Sequence, residues 1–196
     1  MLIKGTGGEE MPDRMIAQHC SPTLAGLKTA NLFSIRGRTK KELCAELREL
    51  NRRLAKKGVR AIPVRCNPEL SLVYVYRPKA LERDLSKHEA KRILCEKGYR
   101  IGTANNCIIQ LIRRLKESKE FPHEIGLFLG YPPEDVRGFM EKETCTENCR
   151  GCWKVYGNCE QAKKTFAKYE HCTKVYCREI EKGRSLEKLT VAEGGH

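Results

Sequence analysis

The segment CTENCRGCWKVYGNC, residues 145–159, places four of the chain's eleven cysteines within fifteen positions. Thiols at that density can hold a metal ion, an iron–sulfur cluster or a redox-active disulfide. Cys145-x3-Cys149-x2-Cys152 has the spacing by which radical S-adenosylmethionine enzymes hold a four-iron cluster. Those enzymes follow the motif with a large barrel, and the 44 residues after Cys152 are too few for one. Zinc fits better: Cys149 and Cys152 would supply one half of a tetrahedral site, with Cys172 and Cys177 as the other. On a regular helix Cys172 and Cys177 stand roughly 140° apart, so both cannot face one ion. Cys145, Cys159 or His171 would then substitute. The expected metal set is Cys149, Cys152 and Cys172, with zinc or iron as the cofactor. A redox pair of Cys149 and Cys152 is a second reading. Reduced, partly buried thiols packed beside Trp153 and Tyr156 are the plain alternative.

Two other stretches carry polar chemistry. His19-Cys20-Ser21-Pro22-Thr23 reads as a thiol and an imidazole at a helix N-terminus, with Ser21 as N-cap and Pro22 at the first helical position. Backbone N–H groups there favour a thiolate or a bound anion, and Lys28 lies close in sequence. His123 and Glu124 begin FPHEIGLFLGYPPEDVRGF. A zinc-protease helix would need a second histidine four residues after His123, and none stands there, so a peptidase is unsupported.

The same stretch has helix-turn-helix spacing. Gly126, Gly130 and Val136 fall at the small, turn and aliphatic positions, with Ile125, Leu129, Tyr131 and Phe139 as apolar support. The shape is expected, but DNA reading is not. The second helix would enter the groove with Pro132, Pro133, Glu134 and Asp135, two of which phosphate repels. Glu134 and Asp135 are read as first-turn residues that complement the helix dipole.

A third chemistry is electrostatic. The formal net charge is +13, and Arg36–Arg60 holds ten basic residues against three acidic ones. Arg48, Arg52, Arg53 and Lys56 are the candidate contacts to nucleic acid on one helix face. Glu42, Glu46 and Glu49 neutralise that face in part. Aromatic residues at 7% leave few platforms for stacking bases.

The elements that must position these groups can be read from periodicity. Leu43, Leu47, Leu50 and Leu54 mark a helix that Thr39 caps and Gly58 ends. Strands are expected at Asn31–Ile35, Val59–Arg65 and Leu70–Tyr76, the last two joined through Cys66-Asn67-Pro68. Helices are expected over Ser86–Lys97, Thr103–Lys116, Phe121–Leu129 and Pro133–Glu141, with a final one from about Glu160. Ala162, Phe166, Tyr169, Thr173, Tyr176 and Ile180 would be its buried stripe. The fold class is α+β: a small sheet of about three strands, covering helices and a helical C-terminal half. Residues 1–10 are expected to be a flexible leader, and 11–196 a single domain with a helical lobe from about residue 86.

Hydrophobic residues at 40% and charged residues at 32% describe a globular chain. No apolar run reaches the roughly 18 residues of a membrane span, and the start lacks the apolar stretch of a secretory signal. The expected location is the cytoplasm, where a disulfide framework is not expected.

Three phrases together, HCSPTLAGLKTANLFS, FPHEIGLFLGYPPEDVRGF and CWKVYG with AKKTFAKYEHCTKVY, resemble a bacterial family of proteins catalogued as a domain of unknown function. The resemblance runs from about residue 15 to the C-terminus. It implies a single-domain cytoplasmic protein and carries over no activity. The function expected is that of an accessory or small-ligand and anion-binding protein without a recognisable catalytic constellation. Its site would draw on His19, Cys20, Ser21, Thr23, Lys28, His123, Glu124, Tyr131, Trp153 and Tyr156, because loops and helix ends are where function concentrates. A small anionic ligand or a partner protein is the expected partner. The alternatives are a metal- or thiol-dependent protein and a nucleic-acid-binding protein.

Overall fold

A computed structural model describes residues 11–67, 69–117, 121–141 and 147–193. They fall into two compact units. One holds the chain up to Arg77 and again from Cys172 onward; the other spans Pro78–His171. The fold is α+β, with a three-stranded sheet packed against helices and a mostly helical C-terminal half.

In the first unit, helix α1 (Asp13–Leu24) leads into strand β1 (Ala30–Ile35), helix α2 (Lys40–Leu54) and strands β2 (Arg60–Arg65) and β3 (Ser71–Tyr76). The sheet order is β1-β3-β2, antiparallel throughout, with Phe33 opposite Val73 and Ala61 opposite Val75. Pro63 sits on edge strand β2 beside a register shift, where its missing N–H interrupts least. Thr39 caps α2 through a reciprocal capping box with Glu42, and Leu43, Leu47, Leu50 and Leu54 are the residues it buries. They join Ile16, Leu24, Phe33, Val73 and Val75 in one core.

The N-terminal helix departs from expectation. Helix α1 begins at Asp13, after Pro12, and carries Pro22 inside its last turn. There proline removes only the bond to the carbonyl of Gln18, an exposed residue, so the helix continues through Ser-Pro instead of starting at it.

The end of α1 is held by a group that periodicity does not reveal. The buried guanidinium of Arg77 donates to the carbonyls of Thr23 and Leu24 (2.6 Å each), Val191 (2.7 Å) and Lys57 (3.3 Å). It thereby adds a charged donor to the Thr23 and Leu24 carbonyls at the helix end, which also accept from the backbone N–H groups of Gly26 and Val191. Burial holds its pKa below the ordinary arginine value.

The second unit is helical: α3 (Pro78–Ser86), α4 (His88–Glu96), α5 (Ala104–Glu117), α6 (Ile125–Phe128) and α7 (Pro133–Met140). A hairpin follows, β4 (Cys149–Arg150) with β5 (Lys154–Val155), before α8 (Cys159–Glu181), which runs into the first unit ahead of α9 (Leu186–Leu189). The sequence pattern placed one helix over Ser86–Lys97; the chain instead breaks at Lys87 and adds α3 before it. The hairpin was not expected either. Helix α8 begins at Cys159, with Ala162, Cys172 and Tyr176 its most buried positions and Phe166, Tyr169, Thr173 and Ile180 half-buried. Cys172 thus belongs to the apolar stripe. No helix among the described residues is long and apolar enough to cross a membrane.

Candidate functional site

The helices α6 and α7 meet around Gly130, whose φ of 76° is open to glycine. A Cβ on Gly126 would lie 2.7 Å from Val136 Cγ2 and 3.1 Å from Tyr131 Cδ2. The close approach of the pair therefore requires glycine there, and the helix-turn-helix spacing describes a real local shape. Its first turn, Pro133-Glu134-Asp135, turns Asp135 inward. The buried Asp135 carboxylate accepts from Trp153 Nε1 at 2.7 Å and from the backbone N–H groups of Tyr156 and Gly157 at 2.8 Å each.

Asp135 thus ties the GYPPED and WKVYG segments together. Tyr156 does not line the cleft; its side chain packs against Gly138 of α7, where a Cβ would collide with it. The hairpin is closed by Asn148, whose side chain donates to the carbonyls of Tyr156 (2.8 Å) and Gly157 (3.0 Å). A disulfide between Cys149 and Cys159, with Cα atoms 6.0 Å apart, fastens its first strand to the start of α8. Phe166 of α8 lies over Gly151 and edge-on to Trp153, with ring centroids 4.5 Å apart.

These contacts frame a cleft of about 370 Å³ inside the second unit. Its walls are aromatic: Phe121, Tyr131, Phe139 and Trp153, over Ile125 and Val136. Tyr131 stacks on Trp153 at 4.7 Å between centroids, and His123 meets the Phe139 ring edge-on at 4.8 Å. Polar groups reach the cleft from His123, Cys152 and Lys154. Lys154 Nζ is 2.6 Å from Glu147 and 5.8 Å from the centroid of Phe139. Burial, with the nearby Cys152 adding to it, pushes the Tyr131 phenol up to about 12, so it stays a neutral donor.

Of the residues singled out in sequence, His123, Tyr131 and Trp153 therefore converge on one cleft. Glu124 does not line it. Its buried carboxylate accepts from Tyr99 Oη at 3.1 Å and lies 3.8 Å from Arg114. Burial and then Glu124 raise the Tyr99 phenol well above its ordinary pKa.

The His19–Thr23 group belongs to the first unit, and the anion-pocket expectation fails there for a physical reason. These residues end a helix rather than begin one, so carbonyls replace the expected N–H groups. Cys20 is fully buried and its thiol is pushed far above the usual range, with Lys28 opposing only in part. Ser21 Oγ donates to the carbonyl of Ala17, and Thr23 Oγ1 donates to Asn31 Oδ1 at 2.7 Å. Only His19 is exposed, stacked on Phe33 at 5.1 Å.

The metal set fails too. Cys149 is bonded to Cys159, Cys152 is an exposed thiol outside that disulfide, and Cys172 is buried in the first unit with a pKa pushed up to about 11. Among the described residues no group of three or more His, Cys, Asp or Glu could hold a metal ion. Cys145 lies outside the described residues.

The basic face of α2 is partly spent. Arg53 donates to Asp13 at 2.7 and 2.9 Å and to Glu187, and these carboxylates hold it strongly protonated. Arg52 pairs with Glu49 at 2.7 Å; Arg48 and Lys56 are exposed. Arg53 thus joins α2 to Asp13 and Glu187 within the first unit.

Asp135, Phe139 and Lys154 complete the cleft and were not singled out as site residues. Asp135 carries a signal, the second of two acids set between a proline pair and a valine, but the helix dipole already accounts for it.

Fold and site together define an α+β protein with an aromatic cleft on a helix pair and a disulfide-fastened hairpin. The chain belongs to the family described as protein of unknown function (DUF3793), whose model matches residues 16–190. No curated protein and no solved structure shows significant similarity to it.

Proposed function

We propose that this is a small-ligand-binding protein whose site is the cleft between α6, α7 and the β4–β5 hairpin. The observation that carries the reading is the convergence of four aromatic rings, His123 and Lys154 on one concavity of about 370 Å³. Ligand sites combine this size range, roughly 300–1,000 Å³, with apolar walls and a few polar groups that fix orientation. The fitting ligand is a flat apolar molecule with one acidic substituent. Its body packs against Phe139 and Trp153, while the acid meets His123 and takes Glu147's place on Lys154.

Trp153 is the only tryptophan of the chain, so its fluorescence reports on the cleft directly. Titration with 1-naphthoate should quench it saturably, and neutral 1-naphthalenemethanol should bind more weakly. Phe139→Ala and His123→Ala should each weaken naphthoate about tenfold, near 1.4 kcal/mol. Absence of saturable quenching, or equal quenching in Phe139→Ala, would overturn the reading.

A second reading, thiol chemistry, rests on the exposed thiol of Cys152 at the cleft rim beside the Cys149–Cys159 disulfide. The Cys152 thiolate would attack a small disulfide, form a mixed disulfide and release one thiolate. Peptide mass spectrometry after brief exposure to oxidised glutathione tests it: an adduct at Cys152 that forms faster than at the exposed Cys66 and Cys95 is the expected result, and equal rates at the three would overturn it.

A further inference from the structure

A second concavity lies on the exposed face of α5, within the same unit. Ala104, Cys107, Ile108, Leu111 and Leu115 are buried, so Asn106, Ile109, Gln110 and Arg113 form the opposite side at helical spacing. A groove of about 500 Å³ runs between this side and the segment Gly98–Ile101. An adjoining one of about 410 Å³ shares Gly98, Gln110 and Arg113 with it and extends along Arg114 to Glu117.

The groove is built rather than incidental. The Gln110 side chain accepts from the backbone N–H of Arg100 at 2.8 Å and donates to its carbonyl at 2.9 Å. That clip fixes the segment bearing Arg100 against the helix bearing Arg113. Arg114 is fixed as well, 4.6 Å over the Tyr99 ring and donating to the carbonyl of Lys97. By contrast, no hydrogen bond or ion pair engages the guanidinium of Arg100 or Arg113 among the described residues. Beside them Ile109 is 59% exposed and Ile101 38% exposed.

We propose that this groove is a binding site for a small organic phosphate with an aliphatic body. Guanidinium forks match phosphate oxygens bidentately, and two on opposite walls are what a dianionic phosphate requires. The isoleucines give the body an apolar surface. A polynucleotide is disfavoured, because no aromatic ring lines the groove to stack a base. The site is separate from the aromatic cleft and stands without it.

Hexyl phosphate is the probe, followed by calorimetry at low salt. It should bind saturably and more tightly than inorganic phosphate. Arg100→Gln and Arg113→Gln should each weaken it about tenfold. Ile109→Ser should bring hexyl phosphate down to the level of inorganic phosphate, and Arg48→Gln in the first unit should change nothing. Both arginines are exposed, so circular dichroism should show unchanged folding. The proposal is overturned by no binding at millimolar probe. Equal binding in both arginine variants also overturns it, as does arginine-dependent binding of a short single-stranded RNA where hexyl phosphate fails.

Discussion

Replacing Asp135 by asparagine changes one heavy atom and should cost as much as a typical core truncation, roughly 2–5 kcal/mol. The carboxylate serves two sides at once. Oδ1 accepts the N–H groups of Tyr156 and Gly157, and Oδ2 accepts the indole N–H of Trp153. An asparagine has one oxygen. Its better placement keeps that oxygen on the two backbone donors and turns the amide NH2 toward the indole, donor against donor. One charge-assisted bond, about 1.5–3 kcal/mol, is lost, and two are reduced from charged to neutral, about 1 kcal/mol each. Non-additivity lowers the sum, so a loss of about 3 kcal/mol is expected. Urea unfolding followed by Trp153 emission and by far-ultraviolet dichroism measures it. Trp153→Phe alone should cost less, and the cycle formed with Asp135→Asn should show a coupling of about 1–2 kcal/mol. A loss below about 1 kcal/mol for Asp135→Asn, or simple additivity with Trp153→Phe, would refute the view that this carboxylate organises the cleft.

Other outcomes are expected elsewhere in the chain. Arg77→Met should destabilise the first unit by about 3 kcal/mol, since it removes the charge-assisted second donors of the Thr23 and Leu24 carbonyls and the side-chain donor to Val191; chemical denaturation reads this directly. Glu187 is held below its ordinary pKa of 4.5, first by its hydrogen bond from Arg53. A depressed carboxyl stabilises the fold above its unfolded pKa and loses that contribution as pH falls through the folded one. Glu187→Gln should therefore be less stable than the parent at pH 7, by about 1 kcal/mol, with the gap closing below pH ~4. In the non-reduced protein, maleimide should label Cys66, Cys95 and Cys152 first. Cys20 and Cys172, buried with raised pKa values, should react only on unfolding. Opening the Cys149–Cys159 disulfide with a phosphine should weaken naphthoate at the aromatic cleft, because Trp153 and Lys154 ride on the hairpin it fastens.

What the sequence reveals about this chain depends on the range of the interaction. Local rules succeed where the pattern is local. The leucine repeat of α2 and its Thr39 cap rest on neighbours within a few residues, and each strand shows in its own alternation, although the pairing of β1 with β3 joins positions as distant as Ala30 and Tyr76. Gly126 and Val136 likewise announce a tight helix pair, because their spacing alone sets the contact. The same rules mislead at Ser21-Pro22, where an N-cap signature is overridden by packing of Ile16, Cys20 and Leu24 into the core. They are silent where partners are distant: Arg53 with Glu187, 134 positions apart, or Arg77 with Val191, 114 apart. The cysteine segment shows both sides. Its density was legible, but thiol spacing cannot state a pairing, and the bond between Cys149 and Cys159 follows from the hairpin returning the chain to the start of α8. The cleft depends on the same return. His123, Tyr131 and Trp153 are visible as unusual residues, yet the carboxylate of Asp135, with the ring stack on Tyr131 and the Cys149–Cys159 bond, brings the last of them to the first two. A group that looks like a helix-dipole acid thus helps to turn three scattered residues into one site.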